Sequence, residues 1–175
     1  LLEECVNKLK SQDIVLFSVY VWNVNISLAI AKEIKKINKN ILTIFGGPSV
    51  PDDSEDFLYK NSFIDVVVHQ EGERTILSIL ENYPSKEWKK IPGLSFLRNG
   101  KIVHNQGLPR FRNFEGCPSP YLSRVFNNII AENQNEQWLA SWETNRGCPF
   151  SCTYCDWGSA INSKVARFEI DRLYK

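Results

Sequence analysis

Three cysteines lie close together near the end of the chain, at Cys148, Cys152 and Cys155, with the spacing Cys-x-x-x-Cys-x-x-Cys. Three thiolates on one short loop can converge on a single metal centre. In a four-iron cluster, three protein ligands leave one iron open, which is what a catalytic cluster needs. A zinc site needs a fourth ligand, and the two histidines, His69 and His104, lie far upstream. The spacing favours one shared metal centre over three unrelated buried thiols, and a distant residue could still complete a zinc site.

The first half of the chain alternates short apolar runs with segments of helical periodicity. Continuous apolar runs are typical of parallel strands buried on both faces, and they occupy residues 14–17, 41–45 and 63–68. Segments that favour helices surround them, at about residues 2–9, 26–37, 52–60 and 74–82. Short connections between such elements favour right-handed crossovers and a parallel sheet. We therefore expect an α/β fold in which residues 1–82 form a Rossmann-like domain that is incomplete at its N-terminus.

Distinctive residues follow each of the three predicted strands. In open parallel sheets, ligands bind beyond the carboxyl ends of the strands. The candidate ligand-binding residues at these ends are Ser18, Tyr20, Trp22 and Asn23 after the first strand, Gly46, Gly47 and Pro48 after the second, and Glu71, Gly72 and Glu73 after the third. Paired glycines let a ligand approach the backbone closely, although a Gly-Gly pair is often only a tight turn. The chain lacks a Gly-x-Gly-x-x-Gly loop here, which argues against a nicotinamide site.

The remainder of the chain divides into two further segments. Residues 83–137 are predicted to be a connecting segment with a β-hairpin, because Asn99-Gly100 lies between two apolar runs. A polar stretch at 132–137 is typical of a domain boundary. The apolar residues 138–142 then predict a new strand. We expect a second domain to begin there and to occupy residues 138–175.

Composition narrows the class of protein without identifying it. The 175 residues carry 21 basic and 20 acidic side chains, for a net charge of +1, so no long-range field attracts nucleic acid or an anionic membrane. No apolar run approaches the roughly 18 residues that span a bilayer. Five cysteines do not suit a fully paired disulfide framework. The chain has no methionine and begins Leu1-Leu2, from which we expect a fragment of a longer protein.

The segment from Thr144 to Cys155 strongly resembles the cluster loop of radical S-adenosylmethionine enzymes. In that family the loop follows the first strand of a partial (β/α) barrel, which the apolar residues at 138–142 would provide. The resemblance implies that the three motif cysteines hold a 4Fe–4S cluster and that its open iron binds S-adenosylmethionine. Tyr154, the aromatic residue before the third cysteine, is then expected near the adenine, the alternative being that its ring only packs the loop.

The strand ends of the first domain are similar to those of the cobalamin-binding domain that precedes the radical domain in one large class of these enzymes. Ser18 and the Gly46-Gly47 pair match its two flanking strand ends, and Trp22 is expected either to line the cobalamin or to pack ordinarily. Residues 71–73 match most of a Gly-Glu-Gly-Glu element, with Gln70 in place of the leading glycine. Residues 91–96 and 118–122 are similar to the connecting segment of that class. The Asp-x-His-x-x-Gly element that supplies a cobalt ligand in some cobalamin proteins is absent.

The resemblance implies a cobalamin-dependent radical S-adenosylmethionine enzyme, and a methyltransferase is the first expectation. The cluster would cleave S-adenosylmethionine to a 5′-deoxyadenosyl radical, with methylcobalamin as methyl donor. A cyclase or rearrangement enzyme with the same domains and a non-catalytic zinc-binding module are the alternatives. We expect a small-molecule or peptide substrate and an electron donor such as flavodoxin or ferredoxin, with neither nucleic acid nor membrane as partner. A reducing cytoplasm suits the cluster, and the chain alone is expected to be inactive.

Overall fold

The computed structural model describes residues 1–83, 85–112, 114, 116–150, 152–154 and 165–175. These residues form two compact units, Leu1–Pro109 and Arg110–Lys175. Cys155, the third cysteine of the motif, lies outside the described residues. No helix in the described part of the chain is long and apolar enough to cross a membrane.

The first unit alternates helices and strands as predicted. Its elements are α1 (Leu2–Leu9), β1 (Ile14–Ser18), α2 (Val24–Ile37), β2 (Leu42–Gly46), α3 (Glu55–Lys60), β3 (Val66–Val68), α4 (Glu73–Glu81), a 3-10 turn (Trp88–Lys90), β4 (Leu94–Arg98) and β5 (Lys101–His104). The apolar runs became strands because both faces of the sheet are covered, so that every residue from Leu42 to Phe45 is buried. The α/β, Rossmann-like prediction for this part of the chain is confirmed.

The five strands form one sheet in the order β1-β2-β3-β4-β5. The first three are parallel, whereas β4 runs antiparallel to β3 and β5 antiparallel to β4. The predicted hairpin is confirmed, and its turn residues Asn99 and Gly100 have φ values of 52° and 74°, as a two-residue hairpin turn requires. The hairpin, predicted in the connecting segment, extends the sheet, with Val66 opposite Phe96.

Two apolar cores lie on opposite faces of this sheet. One contains Phe17, Phe45 and Val67 with Ile34 of α2 and Leu58 of α3. The other contains Ile44, Val66 and Phe96 together with Ile79 of α4. At the amino ends of the strands, Asp65 joins β2 to α2 through several hydrogen bonds and an ion pair. The two cores therefore cover both faces of the sheet, and loops form the edge at the carboxyl ends of its parallel strands.

The second unit contains little regular structure in its described part. Its elements are α5 (Asn127–Glu132), β6 (Asn145–Arg146), β7 (Ala166–Arg167) and α6 (Ile170–Leu173), and β6 pairs antiparallel with β7. A small core surrounds Phe114, which is 2% exposed and stacks on Phe168 with 4.2 Å between ring centroids. The Arg172 guanidinium lies 4.6 Å from the Phe168 centroid.

The strand predicted at residues 138–142 is not formed. Its side chains remain in solvent, with Leu139 91% and Trp142 62% exposed, and an apolar run becomes a strand only where neighbours cover its backbone and side chains. The short strand β6 instead begins three residues later, immediately before the cysteine motif. The described part of this unit thus does not confirm the first strand of a barrel.

Candidate functional site

The carboxyl ends of β1 and β2 lie side by side. Ser18 is the register partner of Gly46, and the Val19 N–H donates a 2.7 Å hydrogen bond to the Gly46 carbonyl. On the other side, an ideal Cβ on Gly46 would lie 3.6 Å from the Cβ of Val68, the last residue of β3. The structure therefore brings the three predicted strand ends to one edge of the sheet.

The two adjacent glycines at this edge have different roles. Gly47 has a φ of +107°, and a Cβ atom there would lie 2.7 Å from the Val19 carbonyl oxygen and 2.8 Å from the Val19 nitrogen. Backbone packing thus requires glycine at position 47. A Cβ on Gly46 would make only ordinary 3.6 Å contacts with Val68. The described chain leaves room at Gly46, so its missing side chain is free to serve the close approach of a ligand, which fits a cofactor at the strand ends.

Asn23 closes the turn between β1 and α2. Its Oδ1 accepts a 2.7 Å hydrogen bond from the Tyr20 N–H, and its Nδ2 donates a 3.0 Å hydrogen bond to the Ser18 carbonyl. Asn23 occupies the N-cap position of α2, but its side chain makes no capping hydrogen bond to the helix. The side chain instead folds back on the strand end and fixes the backbone on both sides of Val19.

Two aromatic side chains stand on this turn. The rings of Tyr20 and Trp22 stack with 4.7 Å between centroids and 12° between planes. Trp22 is 77% exposed, so its ring does not belong to either core. Ser18 and Pro48 are also exposed. The arrangement offers a flat apolar surface beside polar backbone groups, which suits a large ring with a polar periphery.

The third strand end turns directly into α4. Gln70 has a φ of 58°, which lies in the left-handed region that glycine adopts without strain. Gln70 therefore adopts a backbone conformation that favours glycine. Gly72 takes the N-cap position of α4, and Glu73 is the first helical residue. Glu71 and Gly72 are half-buried, whereas Glu73 is exposed at the helix N-terminus.

Three side chains next to this loop form a hydrogen-bond network that no sequence motif indicates. Ser95 Oγ lies 2.8 Å from His69 Nε2 and 2.8 Å from His104 Nδ1. Burial lowers the pKa of His69, the nearby His104 lowers it further, and Asp52 opposes both. The hairpin turn at Asn99-Gly100 fixes the pairing of Ser95 with His104 in sequence, but nothing local indicates that His69 joins them.

The cysteine motif begins directly after β6. Cys148 is half-buried and Cys152 is exposed, and both are free thiols. Upstream, Arg146 Nε and Nη2 each donate a 2.8 Å hydrogen bond to the Glu143 carboxylate. Within the described part of the chain, no three His, Cys, Asp or Glu side chains are placed to hold a metal ion. Three thiols are a donor set that fits an iron–sulfur cluster in its chemistry, and the third cysteine, Cys155, lies outside that part.

Tyr154 is 91% exposed and follows the second cysteine of the motif by two residues. Its ring is not buried among loop side chains, so it is available to a ligand. The expectation that it lies near an adenine stays a prediction. The structure thus gathers the predicted residues of the first unit at one sheet edge and places those of the second unit, as far as it describes them, on an exposed loop.

Comparison with known proteins agrees with this geometry. Residues 2–80 match the B12 binding domain family. The cobalamin-dependent radical SAM methyltransferase TokK from Streptomyces tokunonensis is 37% identical over 177 residues, which cover 98% of this chain and 26% of TokK. The 2-(S-pantetheinyl)-carbapenam-3-carboxylate methyltransferase of Streptantibioticus cattleyicolor is 35% identical over 92% of this chain and 24% of that enzyme. The chain spans about a quarter of the length of these relatives.

A solved structure shows the same fold. The cobalamin-dependent S-adenosylmethionine radical enzyme OxsB, with aqua-cobalamin and S-adenosylmethionine bound, superposes with a TM-score of 0.74 at 19% identity, over 99% of this chain and 24% of that chain. Fold and sequence together define a Rossmann-like B12-binding domain. The chain as a whole belongs to the family of cobalamin-dependent radical S-adenosylmethionine enzymes.

Proposed function

We propose that the chain is the cobalamin-binding and cluster-bearing portion of a radical S-adenosylmethionine methyltransferase. The observation that carries the proposal is the presence, on one chain, of a B12-binding domain and a Cys-x-x-x-Cys-x-x-Cys loop. Either feature alone fits many proteins, whereas a cobalamin domain followed by three cluster ligands fits one class of chemistry. The identity to two methyltransferases over more than nine-tenths of the chain supports methyl transfer.

The first unit would hold cobalamin at the carboxyl edge of β1, β2 and β3. Ser18 and the backbone at Gly46 would contact its polar periphery, since both reach the edge without a blocking side chain. The stacked rings of Tyr20 and Trp22 would cover apolar surface and exclude water. Other contacts to the cofactor would come from Asn23, Gly47, Pro48 and the segment Glu71, Gly72 and Glu73. When bound, cobalamin supplies the methyl carrier, and the cluster with S-adenosylmethionine supplies the radical.

The second unit would hold the cluster through Cys148, Cys152 and Cys155. The short spacing of the three thiols lets them reach a common centre, and the exposed Tyr154 would place its ring against the adenine of S-adenosylmethionine. We place the protein in a reducing cytoplasm because such a compartment suits an oxygen-sensitive cluster and the reduced thiols that would bind it. An electron donor such as flavodoxin or ferredoxin and a small-molecule or peptide substrate complete the proposal.

Anaerobic reconstitution with iron and sulfide tests the cluster. The wild-type chain should bind iron and sulfide and show the broad visible absorption of thiolate-bound clusters. The triple variant Cys148→Ala, Cys152→Ala, Cys155→Ala should lose both. The matched control Cys5→Ala, Cys117→Ala removes two thiols outside the motif and should keep both. Zinc without iron or sulfide in the wild-type chain, or a full cluster in the triple variant, would contradict the assignment.

Methyl transfer is tested in the longest chain that contains this sequence. With S-adenosylmethionine labelled in its methyl group, a methyltransferase should place the label in the product. An unlabelled, cyclised or rearranged product would show that the same domains serve a different radical reaction. If the reconstituted chain holds a cluster while the product carries no label, methyl transfer is wrong but the radical chemistry is kept. If no cluster forms, the radical chemistry itself is wrong.

A further inference from the structure

The side chains of His69, Ser95 and His104 form a hydrogen-bond network that joins three neighbouring strands of the sheet. His69 follows β3, Ser95 lies in β4, and His104 ends β5. Ser95 is 1% exposed, and its hydroxyl lies 2.8 Å from a nitrogen of each imidazole. The ring centroids are 5.2 Å apart. One buried hydroxyl thus lies within hydrogen-bond distance of two imidazole nitrogens.

The hydrogen-bonding capacity of the hydroxyl allows this network in more than one tautomer. A hydroxyl carries one proton and two acceptor sites, so Ser95 Oγ can donate to one imidazole and accept from the other, or accept from both. In each case the Ser95 oxygen joins the two rings. The Ser95 hydroxyl is therefore the shared partner of His69 and His104.

Polar and charged groups surround this network. A groove of about 560 Å³ lies beside it and opens to solvent. It is lined by Asp52, Asp53 and Ser54 after β2, by Glu55 and Tyr59 of α3, by Ser95 of β4, and by Lys101, Ile102 and His104 of β5. Asp52 favours a charge on His69, whereas burial and His104 oppose one. Ser54 Oγ, 3.5 Å from His69 Nε2, is the other polar atom beside the ring.

His69 directly follows β3 and therefore begins the loop that carries Glu71 to Glu73. Its N–H donates a 2.9 Å hydrogen bond to the Gly93 carbonyl at the base of the hairpin. The next residue, Gln70, has a φ of 58°, and its side-chain amide lies beside the Gly107 backbone, three residues after β5. The backbone of His69 therefore ties the loop that carries Glu71 to Glu73 to the hairpin, and the His69 ring provides a side-chain anchor directly after β3.

We infer that His69 is a positioning residue of the carboxyl edge proposed to bind cobalamin: its imidazole, hydrogen-bonded to Ser95, holds the segment Glu71–Glu73 in place. The inference rests on the proposed function of that edge. Removal of the Ser95 hydroxyl should leave the strands paired but free the loop. Cobalamin affinity should then fall.

The test compares Ser95→Ala with Tyr59→Phe. The first variant removes the shared hydroxyl and keeps the Cβ. The second removes a 3.2 Å hydrogen bond from Tyr59 Oη to the Gly100 carbonyl, which ties the far end of the same hairpin to α3. Amide hydrogen exchange of the cobalamin-free chain is measured first. Exchange at residues 69–73 should rise about fivefold to tenfold in Ser95→Ala, as expected for loss of one hydrogen bond, and should be unchanged in Tyr59→Phe.

Cobalamin affinity is then measured at pH 7.5 by absorption. Tyr59→Phe should bind as wild type does, and Ser95→Ala should bind about fivefold to tenfold more weakly. Wild-type exchange at residues 69–73 together with wild-type affinity in a folded Ser95→Ala variant would overturn the inference. Faster exchange in Ser95→Ala without cobalamin binding by any variant would overturn the cofactor assignment but keep the role of Ser95 in holding the loop.

Discussion

A Cβ atom on Gly47 would lie 2.7 Å from the carbonyl oxygen of Val19. This approach locks the end of β2 against the residue that follows β1, and the Ser49 N–H strengthens it with a 3.1 Å hydrogen bond to the same carbonyl. The Gly47 φ of +107° also disfavours any residue with a side chain. The edge that would receive cobalamin is therefore fixed by backbone packing before any ligand binds.

Gly47→Ala should destabilise the fold. The added methyl group meets backbone atoms that cannot rotate away, and the positive φ adds strain, for a combined loss of about 2 kcal/mol or more. Chemical denaturation followed by tryptophan fluorescence measures the free energy of unfolding. A stability equal to wild type would mean that the close approach to Val19 is not maintained in solution.

Gly46→Ala is the matched variant and should separate stability from binding. Its methyl group meets only Val68, at 3.6 Å, so the free energy of unfolding should change by less than about 1 kcal/mol. Cobalamin affinity should fall about tenfold or more because the methyl group occupies the space that the ligand would use. Unchanged affinity in this variant would place the cofactor away from Gly46.

Asn23→Ala should loosen the turn between β1 and α2. The substitution removes the two hydrogen bonds to the Tyr20 N–H and the Ser18 carbonyl, with a cost of about 1–2 kcal/mol. Trp22 fluorescence should shift because its stacking on Tyr20 depends on this turn. Asn25→Ala, at an exposed position in the first turn of α2, is the control and should leave the fluorescence unchanged. Equal effects of the two variants would argue against a special role for Asn23.

Asp65→Ala should destabilise the amino end of the sheet. Its Oδ2 accepts hydrogen bonds from the Thr43 N–H at 2.8 Å and the Thr43 hydroxyl at 3.0 Å, and it pairs with Lys35 at 2.6 Å. The Lys35 side chain is 13% exposed, so loss of its partner leaves a largely buried charge and costs about 2–3 kcal/mol. Asp56→Ala breaks the exposed pair with Lys60 and should have no measurable effect. Similar unfolding curves for the two variants would contradict the difference in burial.

Stability should fall as the pH drops below about 6.5, the ordinary pKa of histidine. Burial, aided by His104, lowers the pKa of His69 in the folded chain. The unfolded chain then binds more protons in this range, so the contribution of His69 is complete above pH 6.5 and is lost as pH falls toward the lowered value. Urea midpoints between pH 7.5 and 5.5 measure it. His69→Gln should flatten the slope, and an unchanged slope would assign the effect to other groups.

The sequence correctly predicted those elements whose structure depends on residues that are close together in the chain. The apolar run at β2 and the Asn99-Gly100 turn each specify their structure within a few residues, and both are observed. The apolar residues at 138–142 predicted a strand that is absent, because a strand depends on partners distant in sequence. The Ser95–His69 contact was equally beyond local patterns, since it depends on how β4 joins β3. Gln70 has a positive φ because of the loop in which it lies. Its residue type alone does not predict that conformation.

Equilibrium titration of the folded 175-residue chain with hydroxocobalamin tests the central claim most directly. The account predicts saturable binding at one equivalent, accompanied by a change in the cobalamin spectrum, with weaker binding by Gly46→Ala at wild-type stability. A folded wild-type chain that produces no spectral change and retains no cobalamin on gel filtration would contradict the assignment of the carboxyl edge of β1, β2 and β3 as the cofactor site.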